Sequence, residues 1–258
     1  MQYINMGISL FICCMQDSQQ KHPPNSPGRT LGLIKLSLIL LGVFSIGFIP
    51  FTLYLYGIWM LFDRTIWWHW VFVPVILYWA LIIILYAQIV ASGVIISLFH
   101  YRYKAGTYPY TFQDKNTFRW IVLCSLYTPF RKVMEVFPVG NLRNRYYRWL
   151  GMHIGENTLV GGVIKDPCMT SIGANTTMGE YAIMYGHIQD FSRGTITMNP
   201  IKVGNNCVIG AGAIIMPGAL IEDDVVVAAG AVVTQNQVLK KNHIYAGIPA
   251  KPIQNKNH

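Results

Sequence analysis

Between residues 203 and 233 an aliphatic side chain returns every six positions: Val203, Ile209, Ile215, Ile221, Val227, Val233. An earlier block keeps the same step at Ile154, Val160, Ile172, Met178 and Met184, with one turn skipped at "DPCMTS". A step of six is neither the helical period nor the two-residue period of a half-buried strand. The second residue of the unit is often glycine (Gly155, Gly161, Gly173, Gly179, Gly204, Gly210). The fifth is mostly small: Thr158, Thr176, Ala182, Cys207, Ala213, Ala219, Ala231. The third and fourth favour Asn, Asp and Gly, which tolerate left-handed backbone angles. The pattern fits three short strands per coil, joined by tight corners, with one aliphatic side chain pointing inward from each face. One coil cannot bury its own face, so several must stack, here roughly four. A β-sandwich would instead alternate apolar and polar residues.

The step fails once. From Met184 to Val203 the spacing is nineteen, so the phase slips by one, and His187 stands where it slips. A regular prism offers flat faces and no pocket. The segment "QDFSRGTITMN" is expected to leave as a loop after His187, return before Val203 and form a wall.

Upstream the chain changes character. Hydrophobic residues make up 53% of the whole and charged residues 12%, against about a quarter charged in soluble domains. Residues 31–62 are interrupted only by Lys35, and residues 67–99 contain no Asp, Glu, Lys or Arg. Each exceeds the ~20 apolar residues that cross a bilayer, and the short link "DRTI" makes a helical hairpin. Residues 100–150 hold nine Lys or Arg against Asp114 and Glu135, while residues 151–258 carry seven of each sign. The positive-inside rule then puts both termini and everything after residue 100 in the cytoplasm, at an inner or plasma membrane. The basic stretch suits an anionic lipid surface rather than nucleic acid, because apolar residues interleave it and it follows the hairpin directly.

Residues 117–137 mix aromatic, aliphatic and basic side chains, with a break expected near Pro129. They read either as a membrane-surface helix pair or as an amphipathic helix packed on the repeat domain. The five cysteines include no C-x-x-C pair, consistent with free thiols in a reducing compartment. The expected organisation is an N-terminal tail over 1–30, a two-helix transmembrane hairpin over 31–99, a basic juxtamembrane helical segment over 100–150, and an all-β parallel β-helix over 151–254.

The pieces "PIKVGNNCVIGAGAIIMPG", "AAGAVV" and "YAGIPAKPI", in that order, resemble the left-handed β-helix of hexapeptide-repeat acyltransferases. With the hairpin and "PVGNLRNRYYRWLGMHIGEN", residues 31–254 resemble the membrane-attached terminal domains of poly-lysine-synthetase-like proteins. The first resemblance implies a homotrimer that moves an acyl group from acetyl-CoA or another acyl-CoA, with no metal. It implies His187 as the general base, facing a neighbouring subunit's loop. It implies Gly212, Ala213, Ala229, Gly230 and Ala231 along the pantetheine groove, and Lys251 near the coenzyme phosphates. Val208 stands where the sugar O-acetyltransferases of the superfamily have tryptophan, and their acidic sugar-binding residues have no evident counterpart. An acceptor held at the membrane fits the hairpin better than a free sugar.

Three other readings stay open from the residues. A non-catalytic trimeric scaffold at the membrane would leave His187 dispensable. Amide-bond formation on carrier-bound amino acids would need a separate carrier. A carbonic anhydrase on the same prism would need three zinc-binding histidines, and the later pair it requires is missing after His187.

Overall fold

The computed structural model describes residues 27–63, 65–137 and 140–255. Most of the tail expected over 1–30, with Cys13 and Cys14, lies outside the described residues.

Two apolar helices come first, α1 (Pro27–Leu61) and α2 (Val73–Leu98), and both are long and apolar enough to cross a membrane. They approach closely at Gly47, where a Cβ would lie 2.3 Å from Gln88 Oε1. Gln88 Nε2 donates to the Phe44 carbonyl at 3.0 Å. The second apolar stretch does not start as an α-helix. Residues Trp67–Phe72 form a 3-10 turn, and α2 opens at Val73 with Pro74 in its first turn. A proline there forfeits only a donor that a helix start leaves unpaired anyway.

Helix α3 (Lys115–Val136) is capped by Asp114, whose side chain accepts from the backbone N–H groups of Asn116 and Thr117 at 2.9 and 2.8 Å. The break expected near Pro129 is absent: α3 runs straight through it. Proline removes one backbone donor, and the buried row Leu126, Tyr127, Phe130 and Met134 holds the helix continuous by tertiary packing. Of the two readings for this segment, the packed amphipathic helix is the one found. Helix α4 (Leu142–Trp149) lies against α2 at Gly93, where a Cβ would meet Trp149 at 2.6 Å and Tyr146 at 2.8 Å.

The rest is a left-handed parallel β-helix with a triangular cross-section. Its inward columns follow the sequence step. One face stacks Ile154, Ile172, Val203, Ile221 and Leu239. The next stacks Val160, Met178, Ile209, Val227 and Tyr245. The third stacks Ile164, Met184, Ile215 and Val233. All are buried and form the continuous core that holds the coils. Ten corners turn at the fourth residue of their hexad through a positive φ, at Asn157, Asn175, Tyr181, Asn206, Gly212, Gly218, Asp224, Gly230, Asn236 and Asn242. Asn, Asp and Gly visit that region at low cost. Tyr181 is the one aromatic among the described corners, at φ 60° and 79% exposed. The coils run past Val233 to His243–Ala246, and Lys251–Asn255 closes the stack antiparallel to that strand.

The turn expected to be skipped at "DPCMTS" is not skipped. Its face is supplied two residues early by Val163–Ile164, paired with Ile183–Met184. The corner Gly161–Gly162 is tight enough to permit this: a Cβ on Gly162 would sit 2.2 Å from the Ala182 carbonyl oxygen. The residues thus saved form a 3-10 turn at Pro167–Met169, and Asp166 is its N-cap residue.

Candidate active site

The nineteen-residue interval holds an ordered hairpin rather than a bare loop. Strand His187–Asp190 pairs antiparallel with Thr195–Met198, and His187 lies opposite Met198. Asp190 sets the turn, its Oδ1 accepting from Ser192 Oγ at 2.6 Å and from the Arg193 N–H at 3.1 Å. A third strand, Gly106–Pro109, comes from the segment that follows α2 and pairs with Thr195–Met198. Tyr110 and Phe191 meet edge to face at 5.7 Å across this seam.

At the root of the hairpin, His187 Nδ1 lies 2.7 Å from Asp166 Oδ2. The Gly186 N–H donates to the same oxygen at 2.8 Å. Oδ1 accepts from Tyr103 Oη at 2.5 Å and from Trp120 Nε1 at 3.2 Å. Asp166 is fully buried, yet each oxygen has two donors. Burial pushes its pKa up. The His187 ring beside it and the bonds from His187, Tyr103 and Gly186 outweigh that, and the net result is a carboxyl held below its ordinary 3.8. A carboxylate only accepts, so His187 Nδ1 carries a proton, and in the neutral ring the lone pair is on Nε2. The Tyr103 phenol is held well above its ordinary 10.0, by burial first and then by the Asp166 charge, and so remains a donor.

Packing holds the pair in place. The Trp120 ring stands edge to face with the His187 imidazole, centroids 4.7 Å apart. Gly186 lies so close to Asp166 that a Cβ would come within 2.6 Å of the Asp166 Cβ. The His187 side chain is still 16% exposed, so the imidazole reaches the surface while its partner does not. A buried carboxylate orienting a histidine with a free nitrogen is the arrangement a general base requires.

Asp166, Tyr103 and Trp120 were not among the residues singled out by sequence. Asp166 had a signal. It stands six residues after Val160 and six before Ile172, where the step calls for an aliphatic side chain. A charge at an inward position means a paired charge.

The expected donor residues divide. Gly212, Ala229 and Gly230 lie along one outer corner, where the Gly212 N–H bonds the Glu180 carbonyl and the Gly230 N–H bonds the Ala211 carbonyl, each at 2.9 Å. A Cβ on Gly212 or Gly230 would meet nothing within 4 Å. Ala213 and Ala231 point into the core and are fully buried; only their backbone borders that corner. Lys251 opens the terminal strand and is exposed. His153 is exposed, and His243 contacts the Lys241 carbonyl at 2.7 Å. Among the described residues no group of three His, Cys, Asp or Glu side chains could hold a metal.

The family described as "hexapeptide repeat of succinyl-transferase" matches residues 200–235. No curated protein matches the chain. Among solved structures, one that is similar is a maltose O-acetyltransferase from Clostridium difficile 630. The identity is 21%, over 60% of this chain and 94% of that one, with a TM-score of 0.48. A hexapeptide-repeat-containing acetyltransferase from Vibrio cholerae is 20% identical, over 54% of this chain and 93% of that one, with a TM-score of 0.42. A galactoside acetyltransferase in complex with coenzyme A is 20% identical, over 49% and 78%, with a TM-score of 0.39. Residues 200–235, which match the repeat family, lie within the stacked triangular coils.

Proposed function

We propose that the protein is a membrane-anchored, coenzyme-A-dependent acyltransferase in which Asp166 and His187 act as a dyad. The observation that carries this reading is the buried, fully hydrogen-bonded Asp166 that leaves His187 with one available nitrogen.

His187 Nε2 takes a proton from an acceptor hydroxyl or amine. The freed oxygen or nitrogen attacks the thioester carbonyl of the acyl donor, and backbone N–H groups stabilise the oxyanion. As the C–S bond breaks, the protonated His187 returns its proton to the departing thiolate. Asp166 keeps the imidazole in one tautomer and stabilises its charged form between these steps.

The donor lies along the corner of Gly212, Ala229 and Gly230, against the backbone of Ala213 and Ala231, with Lys251 as a point charge for its phosphates. Trimer packing turns that corner into a groove between adjacent prisms. Helices α1 and α2 anchor each subunit, with the catalytic domain on the cytoplasmic side. The acceptor is membrane-associated, because the hairpin strand and the aromatic wall around His187 are partnered by juxtamembrane residues.

The deciding measurement is acetyl-CoA binding and slow hydrolysis by the detergent-purified protein, wild type beside His187→Ala. Binding by both, with hydrolysis lost only in the variant, is the expected result. If neither acetyl nor longer acyl donors bind, the protein is a scaffold instead.

A further inference from the structure

Away from His187, basic side chains converge where α3, α4 and the first coil meet. Arg131 and Lys132 lie on α3, Arg143 lies on α4, and Lys165 precedes Asp166 on the coil. Arg131 is 4% exposed, a rare state for a guanidinium without full pairing. It donates to Glu135, and Lys132 Nζ shares that carboxylate at 3.4 Å. Nε of Arg131 is nevertheless buried without a hydrogen-bond partner. Lys165 Nζ stands 5.8 Å from the Tyr185 ring centroid and lines a small cavity with Tyr103, Tyr127, Cys124 and Cys168. Its ammonium is held below the ordinary 10.5, by burial first and then by Arg131 and Lys132. The buried Tyr147 phenol is pushed up by burial while both Arg143 and Arg131 pull it down. Tyr127 of α3 ties the three elements together, its hydroxyl donating to the Ile164 carbonyl beside Lys165 and its ring standing 6.1 Å from that of Tyr147 on α4, so the four cations border one junction with Glu135 as the carboxylate set against them.

We propose that this cluster is a phosphate-binding site separate from the His187 centre. A phosphate group is compact, carries up to two negative charges and offers several acceptor oxygens. Such a ligand suits guanidinium N–H groups and a lysine point charge together. It supplies the acceptor that Arg131 Nε lacks and relieves the repulsion among the four cations. The phosphate belongs to a lipid headgroup or to a soluble phosphate ester. The position favours the lipid: α4 packs on the last turns of α2 through Gly93, at the end of a helix of membrane-spanning length. Only that choice of source rests on the membrane reading above; the site itself is independent of acyl transfer.

The test uses the full chain in neutral detergent and reads binding by calorimetry. The probes are dihexanoyl phosphatidic acid, its uncharged twin dihexanoylglycerol, and inorganic phosphate. The variants are Lys165→Met, which keeps an apolar stem in place, and Arg143→Gln on α4, with near-ultraviolet circular dichroism as the check on folding. Phosphatidic acid is expected to bind the wild type, to weaken by roughly tenfold or more in each folded variant, and to outbind its uncharged twin. Recovery in Lys165→Arg confirms that the charge matters. Inorganic phosphate binding as well as phosphatidic acid assigns the site to soluble phosphate esters. Inorganic phosphate failing where the lipid succeeds assigns it to headgroups. No binding of either phosphate probe at millimolar concentration overturns the proposal, as does equal binding by wild type and both variants. Donor hydrolysis is not read here, so failure of the acyltransferase reading leaves this result interpretable.

Discussion

Asp166 receives the Nδ1 proton of His187 at 2.7 Å on one oxygen, while Tyr103 and Trp120 hold the other. The hydrogen bonds around that carboxylate thus join two distant parts of the chain. The β-helix contributes the carboxylate and the imidazole, and the segment after α2 contributes two of the four donors that fix the carboxylate.

Replacing His187 by Ala removes the proposed proton acceptor together with its packing on Trp120 and its bond to buried Asp166, so circular dichroism must first show that the variant folds. Acyl transfer is expected to fall by about 10²–10⁴-fold with donor affinity kept. Stopped assays beside calorimetric titration check both halves. Loss of donor affinity together with activity would mean that His187 binds rather than catalyses.

Asp166→Asn keeps the shape and removes the charge. The amide can donate to Nδ1, so the imidazole proton moves to Nε2 and the base is lost. Activity is expected to drop by about 10²–10⁴-fold. A nitrogen-15 spectrum of the His187 ring reads the tautomer directly. An unchanged tautomer would sink this account.

Tyr103→Phe deletes one donor to a buried oxygen and leaves Trp120 as the remaining partner of Oδ1. The expected cost is about 1–3 kcal/mol, read as a lower melting temperature. Activity should fall less than in Asp166→Asn.

Acid should loosen the site with a defined sign. The folded Asp166 carboxyl titrates below its ordinary 3.8, so the folded state binds fewer protons than the unfolded state in that range. Its stabilising effect is full above the ordinary value and is lost as pH falls from there through the folded value. Melting temperature against pH should therefore drop more steeply at the acid end in wild type than in Asp166→Asn. Parallel curves would rule this out.

Tyr181 holds a left-handed corner that its neighbours give to Asn, Asp or Gly. Such a backbone costs a bulky residue roughly 1–2 kcal/mol, and the ring is largely exposed. Tyr181→Asn is expected to stabilise by about 1 kcal/mol, or some 2–4 °C in melting temperature. A lower melting temperature would mean that the ring is covered in the assembled protein.

The coils were legible because a single periodicity specifies both core and corners. Each inward residue named from the step at Ile154, Val160, Ile172, Met178 and Met184, and from Val203 to Val233, is buried. The same periodicity misled at "DPCMTS". A two-residue advance of one strand was invisible, because Gly161 and Gly162 permit a tighter corner than the other hexads use. Asp166 was consequently passed over as part of a gap. Tyr103 and Trp120 were beyond reach for another reason. They meet Asp166 across 63 and 46 residues of chain, and no local pattern encodes how a helix docks on a coil. Pro129 shows the converse, a local signal for a break that packing overrides. Ala213 and Ala231 match the pantetheine groove by resemblance, yet their small size is first a requirement of the buried fifth position.

The strand Gly106–Pro109 makes the hairpin depend on a part of the chain outside the repeat. It adds itself to the edge of the His187 hairpin and arrives from the segment that immediately follows α2. A β-helix made without residues 100–137 would keep its stacked coils, yet its histidine would hang from a hairpin without its third strand, beside a carboxylate missing two donors. On the proposed reading, such a chain would still fold its coils and would lose acyl transfer, because the support for its base arrives from outside the repeat.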